Sequence, residues 1–218
     1  MGFEAVLFDL GGVFTPSPFE AAEKAGADMG AAPGLLMEIV FGPYHEDTDH
    51  PWHCLERGET ELETVRGQIS ELGRTHGLEV DLFAVLASLA SDNGGRQVVI
   101  DCVREVRAAG LHTALVTNNI REFGDAWKSL LPVDELFDAV ADSCLLGVRK
   151  PDPAMFEYAL AELGGVDPTR AVFLDDFAGN IDAARRMGMH AILVETDPEP
   201  ALAELRQVLA AELAAGSR

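Results

Sequence analysis

The chain has 218 residues, 48% of them apolar, and a formal charge of −21 from 37 acidic and 16 basic residues. This is enough for one sizeable core, or one core with an insert. The acid excess argues against nucleic-acid binding and against docking on anionic membranes, because both need basic residues to neutralise phosphate.

In chain order, the first element is the apolar run Phe3–Phe8, closed by Asp9 and followed by Gly11-Gly12. Such a run predicts a buried parallel strand that delivers a carboxylate to the carboxyl edge of the sheet, where ligands bind in open α/β folds. Residues 17–93 break into short helical pieces punctuated by Gly and Pro, with no convincing strand. They read as a helical insert, leaving through Thr15–Pro18 and returning across Ser91–Gly95. The core is therefore expected over 1–16 and 94–218.

From there helix and strand alternate. Residues 97–109 place Val99, Val103 and Val106 on one helical face, with Gly110 as the stop, and 111–117 form a buried strand. A helix is expected over 121–131 and a short strand over Phe137–Ala141. Asp152 should cap a helix that carries Pro153 at its first position and stops at Gly164-Gly165. Then come a strand at 171–175, a helix over 179–187 ended by Gly188, a strand at His190–Glu195 and a last helix after Pro198 and Pro200. Alternation of this kind implies βαβ units and a parallel sheet, an α/β fold.

Cys54, Cys102 and Cys144 are widely spaced and odd in number, as expected of free thiols in a reducing compartment. No basic n-region, lipidation motif or bilayer-length apolar run is visible, so the chain is expected to be soluble and cytoplasmic.

Four short segments gather polar residues at strand ends: Phe8–Val13, Leu115–Asn119, Val148–Pro153 and Phe173–Asn180. If the sheet is parallel, Asp9, Asp175 and Asp176 converge, and three carboxylates in a cleft would hold protons or collect a cation. Mg²⁺ suits an all-oxygen donor set and would let an acidic edge accept phosphate. Lys150 adds a second positive charge and Thr117 a hydroxyl donor. A carboxylate nucleophile, a divalent cation, a lysine and a hydroxyl are the parts of phosphoryl transfer through an aspartyl phosphate.

This set resembles the haloacid dehalogenase (HAD) superfamily, largely Mg²⁺-dependent phosphatases, over nearly the whole chain. In its subfamily I a helical cap lies between the first and second motifs. Phe8–Val13 and Phe173–Asn180 look like the branch that contains the N-terminal phosphatase domain of soluble epoxide hydrolase and bacterial sugar-phosphate phosphatases. The resemblance implies a Rossmann-like three-layer core with a helical cap over 17–93. It implies Asp9 as nucleophile and metal ligand, the Gly11 carbonyl and Asp176 as further ligands, and Asp175 as a close outer or alternative one. Thr117 and Asn118 would hold phosphate oxygens beside the Gly11-Gly12 loop. Lys150 would neutralise nucleophile and phosphate, and Asn180 would position the acidic loop. The expected partner is a small phosphorylated metabolite, met by a monomer or homodimer.

Gly11 departs from the pattern, since the family's usual phosphatase carries there an Asp that protonates the leaving group and then activates water. Three outcomes stay open: a substrate whose leaving group needs little protonation, a proton from another side chain such as one in the cap, or a weak or inactive relative that binds phosphorylated ligands. A metal-free 2-haloacid dehalogenase, which also pairs an aspartate nucleophile with no acid two positions on, is the alternative chemistry.

Each segment also has a plainer reading. Asp9 would cap a turn, Asp175-Asp176 would be acids at a helix N-terminus, Thr117 would be an N-cap and Gly11-Gly12 a tight turn. The run Tyr44–His53 holds three histidines and three acids but matches no zinc spacing, and reads as a solvated cap loop. His50, Trp52, His53 and Glu56 are its candidates for lining a substrate pocket.

Overall fold

The computed structural model describes residues 2–90, 96–124, 128 and 130–216. Five strands form one parallel sheet: β1 (Ala5–Phe8), β2 (His112–Thr117), β3 (Ala139–Asp142), β4 (Ala171–Asp175) and β5 (His190–Leu193), in the order β3-β2-β1-β4-β5. β1 is central, with Phe8 beside Leu115 of β2 and Leu174 of β4. All four of its residues are buried, because helices cover both faces.

Side chains alternate between the faces. Val6 and Phe8 pack into a cluster with residues of α6 (Gln97–Ala108), α7 (Val133–Leu136) and α11 (Glu199–Gly216). Ala5 and Leu7 point the other way, into a cluster built by α9 (Pro153–Glu162) and α10 (Ala178–Arg186). The result is the three-layer α/β arrangement expected from the alternating pattern.

Between β1 and α6 lie α1 (Pro18–Asp28), α2 (Leu35–Phe41), α3 (Pro51–Glu56), α4 (Leu62–Thr75) and α5 (Leu82–Ala90). Their inward faces form a third cluster around Leu36, Phe41, Trp52, Leu55 and Ile69. α8 (Ser143–Leu146) follows β3. Among the described residues no helix is long and apolar enough to cross a membrane.

Some expectations need correction. The helix expected over 121–131 is 3₁₀ rather than α among its described residues, at Arg121–Phe123 and at Lys128, with Gly124 at φ 49° after the first turn and 125–127 and 129 outside the described residues. The strand expected from Phe137 starts at Ala139, because Phe137 turns its ring into the core against Phe8 and Phe14. The strand expected to reach Glu195 ends at Leu193. Ser91–Gly95, the expected return path, lies outside the described residues. The Asp152 cap forms as read, its Oδ1 accepting from Ala154 N at 2.9 Å.

Candidate active site

Three of the four polar segments meet at the carboxyl edge because β2, β1 and β4 are neighbours and parallel. Val148–Pro153, expected at a strand end, instead follows the short helix α8 and reaches that edge through the Lys150 side chain. Asp9 directly follows β1, and its N–H donates to Leu174 O at 2.9 Å, which extends the β1–β4 pairing by one residue. Its Oδ1 accepts from Leu10 N at 2.7 Å and lies 2.7 Å from Lys150 Nζ. The same ammonium donates to Asp175 Oδ2 at 2.8 Å. Lys150 is only 1% exposed and Asp175 is fully buried. Oxygens of Asp9, Asp175 and Asp176 lie within 4.8 Å of one another.

Three acids around one lysine set the electrostatics. Burial, opposed by Lys150 but reinforced by Asp175 and Asp176, holds the Asp9 carboxyl well above its usual range. Burial and then the Asp175 charge push Asp176 up to about 7. Burial opposes the Lys150 charge, but the carboxylates of Asp175 and Asp9 prevail and raise its pKa.

The donor set fits a hard divalent cation, since it offers carboxylate oxygens and more negative charge than Lys150 offsets. Asp175 is the least available of the three. Its Oδ1 accepts from Phe177 N at 2.7 Å, Asn180 Nδ2 sits 3.1 and 3.0 Å from its two oxygens, and Oδ2 holds Lys150. Asp175 therefore orients the lysine and the following loop, leaving Asp9 and Asp176 to face an ion. Asp176 Oδ2 accepts from Ser17 Oγ at 2.5 Å.

The two glycines differ. Gly12 has φ 70°, and a Cβ there would fall 2.0 Å from the Asp176 carboxyl, so only glycine fits. A Cβ on Gly11 would meet only Pro18, at 3.6 and 3.7 Å, which is ordinary contact. The tight-turn reading holds for Gly12; neither backbone nor packing requires a glycine at 11.

Thr117 is buried at the end of β2, beside β1. No regular helix follows directly, so it caps none. The Asn118 side chain is used in bracing the lysine loop: Oδ1 accepts from Lys150 N at 2.8 Å and Nδ2 donates to Lys150 O at 3.1 Å. Asn180 is 1% exposed and fixes the acidic loop through Asp175.

The histidine-rich run divides: His45, Glu46, Asp47 and Asp49 are exposed, as read for a solvated loop, while Tyr44, Trp52 and His53 are buried. His53 is fully buried, with Nε2 2.8 Å from Phe41 O and Nδ1 accepting from Thr48 N at 3.1 Å. Burial, then the Arg149 charge, lowers its pKa to about 3. His50 Nδ1 caps α3 by accepting from Trp52 N at 3.2 Å. Trp52, His53 and Glu56 are all buried. A cavity of about 450 Å³ opens instead beside Asp176, lined by Gly12, Ser17, Phe19, Glu20, Arg96 and Phe177 among others, and by none of His50, Trp52, His53 or Glu56.

One buried network is invisible in the four segments. Arg149, next to Lys150, sends Nε 2.6 Å from Glu56 Oε2, and both side chains are almost fully enclosed. Glu56 Oε1 accepts from Tyr44 Oη at 2.7 Å and Trp52 Nε1 at 2.8 Å. Asn118 Nδ2 donates to Tyr44 Oη at 3.1 Å, and the Arg149 guanidinium lies 4.5 Å from the centre of the Tyr44 ring. The available sequence signal was two adjacent cations, Arg149-Lys150, at one strand-edge loop.

The haloacid dehalogenase-like hydrolase family model matches residues 3–188. Acyl-CoA dehydrogenase family member 10 of Mus musculus is 34% identical over 214 residues, covering 95% of this chain but only 19% of its own length. The chain thus spans about a fifth of that longer protein. Phosphatase MT3486 of Mycobacterium tuberculosis is 30% identical over 206 residues, covering 89% of this chain and 88% of its own length. In fold, the chain is similar to a HAD family enzyme from Bacteroides thetaiotaomicron solved with magnesium and inorganic phosphate: the TM-score is 0.61, the identity 21%, and the coverage 90% of this chain and 96% of that one.

Proposed function

Because this chain belongs to the haloacid dehalogenase-like hydrolase family, we propose that it is a Mg²⁺-dependent phosphatase of a small phosphorylated metabolite, working through an aspartyl phosphate on Asp9. The observation that carries this reading is the Asp9–Lys150–Asp175 chain at 2.7 and 2.8 Å with Asp176 alongside. A full-length phosphatase relative supports it. Asp9 and Asp176, with the Gly11 carbonyl, would hold the ion. When bound, Mg²⁺ supplies positive charge for the phosphoryl oxygens and offsets the repulsion among the acids.

The chain's own groups do the rest. Lys150 Nζ, pinned by Asp175, orients one Asp9 oxygen and leaves the other to attack phosphorus. The Thr117 hydroxyl donates to a phosphoryl oxygen and the Lys150 ammonium offsets the group's negative charge. Residues 17–93 serve as the cap over the core of 1–16 and 94–218. The substrate enters by the cavity beside Asp176, where Glu20 and Glu195 outnumber Arg96 and favour a monophosphate with no further negative charge.

A panel of small phosphate monoesters tests this. Phosphate release is expected with Mg²⁺, lost in EDTA and restored when Mg²⁺ is returned. Release that resists EDTA, or EDTA-resistant halide release from 2-chloropropionate without phosphatase activity, overturns the reading.

Position 11 reports whether the site already has a proton donor. Gly11→Asp should fold normally, because its Cβ meets only Pro18 at ordinary distance. If no other side chain supplies the proton, turnover of an alkyl phosphate should rise by about tenfold or more, since general acid–base help is worth about 10²–10⁴; an unchanged rate means a donor is already in place. Steady-state rates and Tm on the purified variant check both halves.

A further inference from the structure

With no carboxylate at position 11, the proton for the departing oxygen has to come from elsewhere. Tyr44 lies in the loop between α2 and α3. Its hydroxyl accepts from Asn118 Nδ2 at 3.1 Å, just past the end of β2. Its ring meets the Phe177 ring edge-on at 5.2 Å, just past the end of β4. β1 lies between β2 and β4 in the sheet, so a side chain bridging residues just past both of those ends lies over the carboxyl edge on which Asp9 sits, and its ring packs on Phe19 and Phe177, which line the cavity.

We propose that Tyr44 is the general acid and base that stands in for the missing carboxylate at position 11. This rests on the phosphatase reading of the same site. In the first half-reaction an Asp9 oxygen bonds to phosphorus, the ester P–O bond breaks, and the departing oxygen takes the Tyr44 proton. An alcohol, an aspartyl phosphate and a phenolate result. In the second half a water oxygen bonds to phosphorus, the Asp9–phosphorus bond breaks, and one water proton returns to Tyr44. The sum is ester plus water giving alcohol plus phosphate, with the enzyme restored.

The surroundings suit the task. Glu56 keeps the Trp52 and Arg149 donors when Tyr44 turns its proton away, so no buried carboxylate is left bare. The phenolate keeps the Asn118 donor and the Arg149 guanidinium over its ring. Burial and Glu56 hold the Tyr44 phenol well above its ordinary range. The phenol is therefore protonated at neutral pH, the form in which it can give a proton to a departing alkoxide. The plainer view is that Tyr44 is only a core ring among Phe19, Phe41 and Phe177. That view makes no distinction between leaving groups.

Tyr44→Phe keeps the ring, and both former partners retain another hydrogen bond, Asn118 to Lys150 O and Glu56 to Trp52. The readout is kcat/KM, which covers only the steps through departure of the leaving group. It should fall by about 10²–10³ for a simple alkyl phosphate, and by less than about tenfold for p-nitrophenyl phosphate, whose leaving group needs little protonation. Adding Gly11→Asp to Tyr44→Phe should recover at least about tenfold on the alkyl ester. Equal losses on the two esters, or no recovery, overturn the assignment while leaving the phosphatase reading intact. A wild-type chain that hydrolyses neither ester overturns the phosphatase reading and this inference with it.

Discussion

Asp9→Asn is expected to cut phosphatase turnover by about 10⁴ or more, the scale seen when a covalent nucleophile is removed, with the fold intact. The variant should fold because the asparagine oxygen can still accept from Leu10 N, and Lys150 keeps its contact with Asp175 at 2.8 Å. Burial already disfavours the Asp9 charge, so neutralising it should leave Tm no lower. Phosphate release and a thermal melt on the same preparation decide it. Turnover near the wild-type level would remove Asp9 from the nucleophile role whatever else the site does.

The second large effect concerns stability. Lys150→Met should destabilise the chain by about 3–5 kcal/mol, the usual range when one partner of a buried ion pair is lost. Asp9 and Asp175, now 2.7 and 2.8 Å from a charge in the wild type, would face each other unpaired. For a domain of this size that is roughly a 6–20 °C fall in Tm. The pH dependence has a definite sign. In the variant Asp9, already held above its usual range, loses the Lys150 charge that opposes that rise, so the folded state binds more protons and loses stability as pH rises. The gap to wild type should therefore be widest near neutrality and narrow in acid. A fall of under about 2 °C at neutral pH would show that the lysine does not hold these acids together.

How much of this was legible in the chain depended on the range of the interactions. The strand ending in Asp9 was readable because an apolar run closed by an acid and glycines is a local pattern. The placing of Asp9, Thr117 and Asp175 along one edge followed from one topological rule, that parallel strands share a carboxyl edge, whereas Lys150 follows a helix and joins them only through its long side chain. The difference between Gly11 and Gly12 was not readable, because it lies in a φ of 70° and in the approach of Asp176 from 164 positions along the chain. Nor was the Arg149–Glu56 pair, 93 residues apart, which exists only once the helical segment has docked. The end of the histidine-rich run misled for the same reason: His53 was a candidate for lining the pocket, and tertiary burial takes it out of the cavity lining. The helix expected beyond Arg121 shows the limit of local pattern where a glycine ends a single turn.

Arg149 and Lys150 are consecutive residues that face two different parts of the molecule, one reaching Glu56 of the helical segment and the other Asp9 and Asp175. The helical segment is consequently no freely exchangeable module. Grafting another relative's segment onto this core to change its specificity would strand a buried guanidinium unless the donor carried an acid at the position of Glu56. The strain would arise one peptide bond from the lysine that holds Asp9. In any such chimera the first residue to match is therefore Glu56, ahead of those that line the cavity.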